Sequence, residues 1–188
     1  MTLTSATTET GIPGYEAATW TIDPVHSEVG FSVRHMMVSK VRGRFTTFSG
    51  EIVTGGDPLQ SSVNAQIDLA SINTGQEQRD AHIRSADFFE VEKYPTMTYQ
   101  STGVRVEDGD YVLDGELTLK GVTKNVPLKL ELNGFGPDPF GGVRAGFTAT
   151  GEINRKDFNV SFDAPMANGG VVVSEKIQLH LEIEAIKA

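Results

Sequence analysis

An all-β, antiparallel fold of about eight strands with one short α-helix is the class this sequence predicts, built as a barrel or a sandwich. Three observations carry that expectation. Apolar and polar residues alternate along most of the 188-residue chain, the period of a strand with one buried face. Short turns rich in Gly, Asp and Pro separate the alternating runs. A single stretch, Thr74 to Tyr94, carries helix punctuation.

Residues 1–14 hold Glu9 and several threonines but no basic residue and no apolar run, so they lack the pattern of a secretion signal. A disordered tail over residues 1–16 is expected, followed by one barrel domain over 17–188. Thr19 to Ile22 predicts a short strand. From near His26 the next one places Val29, Phe31, Val33, His35 and Met37 on one side, with Glu28, Ser32 and Arg34 on the other. Lys40-Val41-Arg42-Gly43-Arg44 is a turn candidate. In the return strand the spacing from Phe45 to Phe48 slips from two to three, which predicts a β-bulge. After the loop Thr54–Pro58, Val63, Ala65, Ile67 and Leu69 alternate strictly with Ser62, Asn64, Gln66 and Asp68.

Thr74 and Glu77 then stand in the Thr-x-x-Glu order of a capping box. The helix they open carries Ala81, Ile83 and Ala86 among Arg79, Asp80, His82 and Arg84. Asp87-Phe88-Phe89 delivers two aromatics before Tyr94-Pro95 stops it. Such a segment suits a plug over a barrel mouth. Met97 and Tyr99 begin a strand to Val106, and Glu107-Asp108-Gly109-Asp110 turns it into Tyr111, Leu113, Gly115, Leu117 and Leu119. Lys120-Gly121 turns again into Val126, Leu128, Leu130 and Leu132, where Pro127 marks an edge or irregular position. A Gly/Pro loop is expected over Asn133–Gly142, then strands through Val143–Ile153 and Ile177–Ala185. Inward Ala65, Gly115, Ala145, Ala149 and Gly151 either leave room for a ligand or fit a barrel's taper.

Composition bounds the function. The formal charge of −9 disfavours nonspecific nucleic-acid binding, which needs clustered cations. With no cysteine, disulfides, thiolate zinc sites and Cys nucleophiles are excluded. No run approaches the ~20 apolar residues of a membrane helix, and the tail's composition sets the cytoplasm as the expected location.

Asp23-Pro24-Val25-His26-Ser27 collects an acid, a base and a hydroxyl, but catalytic groups of this kind normally converge from distant segments. Turn hydrogen bonds explain it more simply. His26 and His35, read as lying in one strand, fall on opposite faces and some ~30 Å apart, too far to share a metal. His35 sits on the apolar face, as a core histidine or a polar contact to a ligand. His82 and His180 are expected to be structural or solvated. Lys40, Arg42 and Arg44 cluster beside Met36-Met37-Val38, either as a solvated turn or as a mouth that touches an anionic headgroup or a membrane surface. No phosphate loop, zinc-protease helix or nucleophile elbow is present. No catalytic residue, metal ligand or cofactor is therefore assigned.

Trp20-Thr21-Ile22-Asp23-Pro24-Val25-His26-Ser27, then Phe31, His35, Gly43-Arg44-Phe45 and Phe48-Ser49-Gly50, resemble the opening of the YceI-like family of polyisoprenoid-binding proteins. Ser71-Ile72-Asn73-Thr74, Arg79-Asp80-Ala81-His82-Ile83, Asp87-Phe88-Phe89, Tyr94-Pro95, Leu117 to Thr123 and Ile153 to Phe158 continue the resemblance in the family's order, from about Ala18 to Ile186. It implies an extended lipocalin-like barrel, often a homodimer, whose pore holds a polyprenyl diphosphate, a quinone or a fatty-acid derivative, with no catalytic activity attached. Asn159 departs from the family's usual Gly, and Asn is the residue that best replaces Gly in a left-handed turn.

The expected function is thus non-enzymatic binding, storage or transport of an amphiphilic lipid. Tunnel-lining candidates are Phe31, Val33, His35, Phe45 and Phe48 early in the chain, Ile67 and Leu69 in the next strand, and Phe88, Phe89, Tyr99 and Phe147 later. Lys40, Arg42 and Arg44 are headgroup or rim candidates. Two rivals stand beside this reading. One is a hydrolase or isomerase with His26 or His35 as base; the other is a packed barrel with no ligand.

Overall fold

The computed structural model describes residues 10–164, 167 and 172–188. Twelve strand segments lie in one antiparallel sheet: β1 (Ala18–Ile22), β2 (Glu28–His35), β3 (Ser39–Phe45), β4 (Phe48–Thr54), β5 (Ser62–Asp68), β6 (Ile72–Asn73), β7 (Thr96–Glu107), β8 (Asp110–Leu119), β9 (Val122–Asn125), β10 (Leu128–Pro137), β11 (Val143–Asn154) and β12 (Val173–Lys187). One helix, α1 (Glu77–Arg84), lies between β6 and β7. The ring runs β1-β4-β5-β7-β8-β10-β11-β12 and returns to β1, which makes an eight-stranded barrel with no open edge around that ring.

The twelve segments reduce to eight because several strands are broken in the middle. β1 and β2 follow one another along the same edge of β12, with Ile22 opposite Ala185 and Glu28 opposite Glu182. The break between them is Asp23–Ser27, so His26 stands outside the strand that holds His35. β3 and β4 are broken at Thr46-Thr47, which explains the slipped spacing between Phe45 and Phe48. The expected β-bulge there is instead a complete interruption: the Thr46 amide donates to the Ser71 carbonyl and the Thr47 amide to the Ser71 hydroxyl. Pro127 lies in a third interruption, between β9 and β10, where it has no ladder bond to lose.

Other boundaries also move. Lys40 to Arg44 is strand rather than turn; the chain reverses at Met36-Met37, both at positive φ. The expected loop over Asn133–Gly142 shrinks to 138–142, because a register shift between Leu132 and Gly134 lets β10 continue to Pro137. Residues 1–9 of the expected tail lie outside the described residues. Residues 10–16 are tied down: the Tyr15 hydroxyl donates to the Gly55 carbonyl at 2.7 Å and its ring packs edge-on against Phe135.

The capping box does not form. Gly75, at φ +82, redirects the chain after Thr74, so Gln76 caps α1 by accepting from the Arg79 amide. Thr74 instead donates both its amide and its hydroxyl to the buried carboxylate of Asp80. Arg79 returns to Thr74 through Nε to the hydroxyl at 2.7 Å and Nη2 to the carbonyl at 2.8 Å.

Trp20, wholly buried, anchors one cluster with Ala145, Phe147 and Ala185, and its indole N–H donates to the Thr54 hydroxyl at 2.9 Å. A larger cluster surrounds Phe45, Phe48, Leu69, Leu117 and Phe158. Between these walls the barrel is not filled.

Candidate functional site

A cavity of about 580 Å3 runs inside the barrel. Its wall is overwhelmingly apolar. One end is bordered by Tyr15, Pro58 and Tyr111, near the β4–β5 and β7–β8 connections. His35, His82, Phe162 and Val172 border the other, where α1, the β2–β3 turn and the start of β12 meet.

The alternation seen in the sequence builds this wall. Inward positions of β2 contribute Val29, Phe31, Val33 and His35, which pair with Phe45, Gly43, Val41 and Ser39 of β3. Phe45, Phe48, Ile67, Tyr99 and Phe147 also reach the cavity. From the α1 connection, Phe88 and Phe89 close on it. Phe89 sits 6.1 Å from the Phe45 ring, and Phe45 sits 5.8 Å from Phe31. Phe88, His82 and Phe162 form a second aromatic group, with centroid separations of 5.1 to 5.4 Å.

Leu69 is a correction. The Asp68 carboxylate accepts from the Ala70 amide and starts a 3-10 turn, so Leu69 leaves the alternation and is wholly buried behind the wall. Lys40, Arg42 and Arg44, the headgroup or rim candidates, all lie exposed on the outer face of β3 and none borders the cavity. The small inward residues also divide. Ala65 and Ala149 do border the space. Gly43 and Gly115 do not open it: a Cβ at Gly43 would lie 2.4 Å from the Phe31 ring, and one at Gly115 2.3 Å from the Tyr99 ring. Each aromatic ring lies over its glycine, a known way to cover a strand that lacks a side chain. A Cβ at Gly151 would meet Leu128 at 2.7 Å, and Ala145 belongs to the Trp20 cluster.

Polar groups are few and mostly committed. The Tyr99 hydroxyl donates to the Val126 carbonyl at 2.8 Å, and burial pushes its phenol well above the usual range, with Asp114 adding to the shift. Arg155, also at the cavity's edge, is buried and spends all its donors. Nε reaches Ser174 O, Nη1 reaches Val160 O and Phe162 O, and Nη2 reaches Val173 O and the Asp163 carboxylate. It fastens the 160–163 segment to the start of β12. In the sequence Arg155-Lys156-Asp157 has the look of a polar turn, and only this convergence of carbonyls distinguishes Arg155. At the α1 end Thr74, Arg79 and His82 border the cavity, and Nη1 of Arg79 has no hydrogen-bond partner among the described residues.

The Asp23–Ser27 group lies elsewhere. His26 Nδ1 is 2.7 Å from Asp23 Oδ2, but the Ser27 hydroxyl donates to the Glu184 carbonyl and does not meet the histidine. None of the three borders the cavity. Asp23, His26 and Glu184 come close enough to suggest a metal site. A cation is already there: Nη1 of Arg144 donates to Asp23 Oδ2 at 2.8 Å and to Glu184 Oε1 at 2.7 Å. Arg144 first and His26 second hold the Asp23 carboxyl down to about 2. The cluster is a latch between β1, β11 and β12.

The YceI-like domain model matches residues 20–185. The chain belongs to the YceI-like family. Among YceI-like relatives, the protein YceI of Escherichia coli O17:K52:H18 is 39% identical over 163 residues, covering 86% of this chain and 82% of that one. BcnA of Burkholderia cenocepacia superposes with a TM-score of 0.74 at 22% identity, over 87% of this chain and 98% of BcnA. A polyisoprenoid binding domain from Saccharophagus degradans, implicated in plant cell wall breakdown, superposes with a TM-score of 0.65 at 18% identity, over 92% of this chain and 100% of the domain. At those identities both structures speak for the YceI-like fold alone.

Proposed function

We propose that this protein binds the tail of an amphiphilic lipid in the barrel cavity, and stores or carries it without altering it. The cavity itself carries the proposal: about 580 Å3 of space inside the barrel falls within the ~300–1,000 Å3 of small-molecule sites, and its wall is nearly all hydrocarbon. Such a wall cannot hold a polar substrate, and water gains little there. A polyisoprenoid, an isoprenoid quinone or a fatty-acid derivative fits it, and polyisoprenoid binding is the property named for the Saccharophagus degradans domain of the same fold. Burying ~400 Å2 of tail at ~25 cal/mol per Å2 would contribute roughly 10 kcal/mol before ordering and association costs.

The hydrolase or isomerase reading finds less support. His26 stands outside the cavity, and His35, which borders it, has no carboxylate within ion-pair distance among the described residues. The test is organic extraction of the purified protein followed by mass spectrometry, with uptake of added prenyl compounds as the second arm. A co-purified lipid, or stoichiometric uptake, is expected. No lipid in the extract together with no uptake would overturn the proposal. His35→Gln should keep most of the tail affinity, whereas a catalytic histidine would be revealed by lost turnover of the bound compound. Homodimerisation is part of the same proposal and is read by sedimentation, where a single monomeric species would contradict it.

A further inference from the structure

We propose that the rim around the β2–β3 turn docks on an anionic lipid bilayer, so that the cavity's α1 end faces the membrane. The inference rests on the lipid-carrying reading for its purpose, but its evidence is separate.

Among the described residues, three hairpin turns place two consecutive residues at positive φ. Asp108-Gly109 has φ of 50 and 83, and Lys120-Gly121 has 50 and 77. Each uses glycine second, as this turn geometry favours. The third is Met36-Met37, at 53 and 60, closed by the Val38 amide donating to the His35 carbonyl at 3.2 Å. Side chains with a Cβ are strained in that region, and Asn-Gly would relieve the strain. Instead the chain puts three apolar side chains at the tip, with Met36 43%, Met37 60% and Val38 82% exposed. Asp108 and Lys120 also carry a Cβ at positive φ, but of the three turns only Met36-Met37 keeps one at both positions, and that second strained residue points to a use for those side chains. Phe162, 36% exposed and bordering the cavity, adds to the apolar surface at the same end.

Behind the tip lies a strip of positive charge. On the outer face of the hairpin Arg34 pairs with Lys40, Ser32 with Arg42 and Gly30 with Arg44. None of these four cations forms an ion pair among the described residues, whereas eight of the other twelve lysines and arginines do. Of the acids nearby on β2 and β12, Glu28 and Glu182 oppose each other at the far end of β2, away from the tip, and Glu175, at the tip end of β12, is paired with Lys156 at 3.2 Å. In a chain of net charge −9 this strip is the one place on the hairpin where an anionic surface is attracted, and the acidic remainder turns the molecule so that the strip faces it. An apolar tip backed by cations is the arrangement that inserts shallowly into an anionic interface. Methionines suit it because their flexible thioethers adapt to a fluid partner.

The test is flotation of the full chain, without added cargo, with vesicles of phosphatidylcholine alone or with about one-third phosphatidylglycerol. The protein should float with the anionic vesicles at low salt, not with the neutral ones, and raised salt should release it. K40Q/R42Q should weaken binding about 30-fold, at about fivefold per cation lost. M36N/M37G should weaken it about tenfold while raising the melting temperature, because the turn relaxes as the insertion is lost. Neither methionine borders the cavity, so this variant should take up prenyl compounds from solution as the parent does. No flotation with anionic vesicles at low salt, or equal flotation of M36N/M37G, would overturn the proposal. Retained uptake without flotation sinks the docking alone, whereas absent uptake with no lipid in the extract sinks the cavity reading.

Discussion

Arg144 meets three carboxylates at once, and its effect on Asp23 gives the clearest pH signature in the molecule. Its guanidinium donates to Asp23, Glu184 and Asp138, tying β1, β11, β12 and the 138–142 loop together. Because the folded Asp23 carboxyl is held at about 2, below its ordinary 3.8, the stabilisation is fully present above pH ~3.8 and is lost as pH falls through about 2. In R144Q, carboxyl titration followed by NMR should place Asp23 about one unit higher, and acid unfolding should begin at higher pH. An unchanged Asp23 titration would assign the depression to His26. Leu69 makes the opposite kind of prediction. Wholly buried and off the cavity, Leu69→Ala should cost ~2–5 kcal/mol in denaturant unfolding and leave tail affinity unchanged. Its displacement from the wall illustrates what alternation misses: the i, i+2 spacing from Ile67 is correct, but Asp68 bonds locally to Ala70 and turns the chain before the pattern completes.

At the scale of elements, strand pairing decides how much space remains. Phe31 lies over Gly43 and Tyr99 over Gly115, so each glycine is needed for an aromatic ring to lie flat along the wall. Gly115→Ala should push the Tyr99 ring toward the cavity and disturb its bond to Val126, costing ~1–3 kcal/mol and reducing uptake of bulky tails. Unaltered stability and uptake would show that the strands can spread to accept the methyl. α1 depends on the Thr74–Arg79–Asp80 network in the same way. Asp80→Ala leaves the Thr74 amide and hydroxyl without their acceptor, which should cost ~1–3 kcal/mol and speed release of a fluorescent fatty acid from the cavity. The helix and its two aromatics were legible from local signals, while its cap was not. Thr-x-x-Glu is only a capping box if Thr ends the preceding segment, and Gly75 moves the start of the helix two residues on.

The whole barrel was legible because period-two alternation survives over most strands. Its closure was not. Joining β1 and β2 to one edge of β12 brings together residues more than 150 positions apart, and nothing local announces Ile22 opposite Ala185 or Glu28 opposite Glu182. Lys40, Arg42 and Arg44 are placed instead by the local β2–β3 register, which turns Val41 and Phe45 inward and the cations outward, where the sequence suggests a turn. The closed ring produces a tube whose wall repels water and whose capacity is finite, a space suited to a hydrocarbon tail. Calorimetric titration of delipidated protein with a series of straight-chain amphiphiles of increasing length tests this most directly. Affinity should rise about fourfold per methylene while the tail still enters the cavity, then level off, with Ala149→Phe moving the plateau to shorter chains. Absent binding, or an affinity that ignores chain length and the added ring, would rule out a tail inside the barrel.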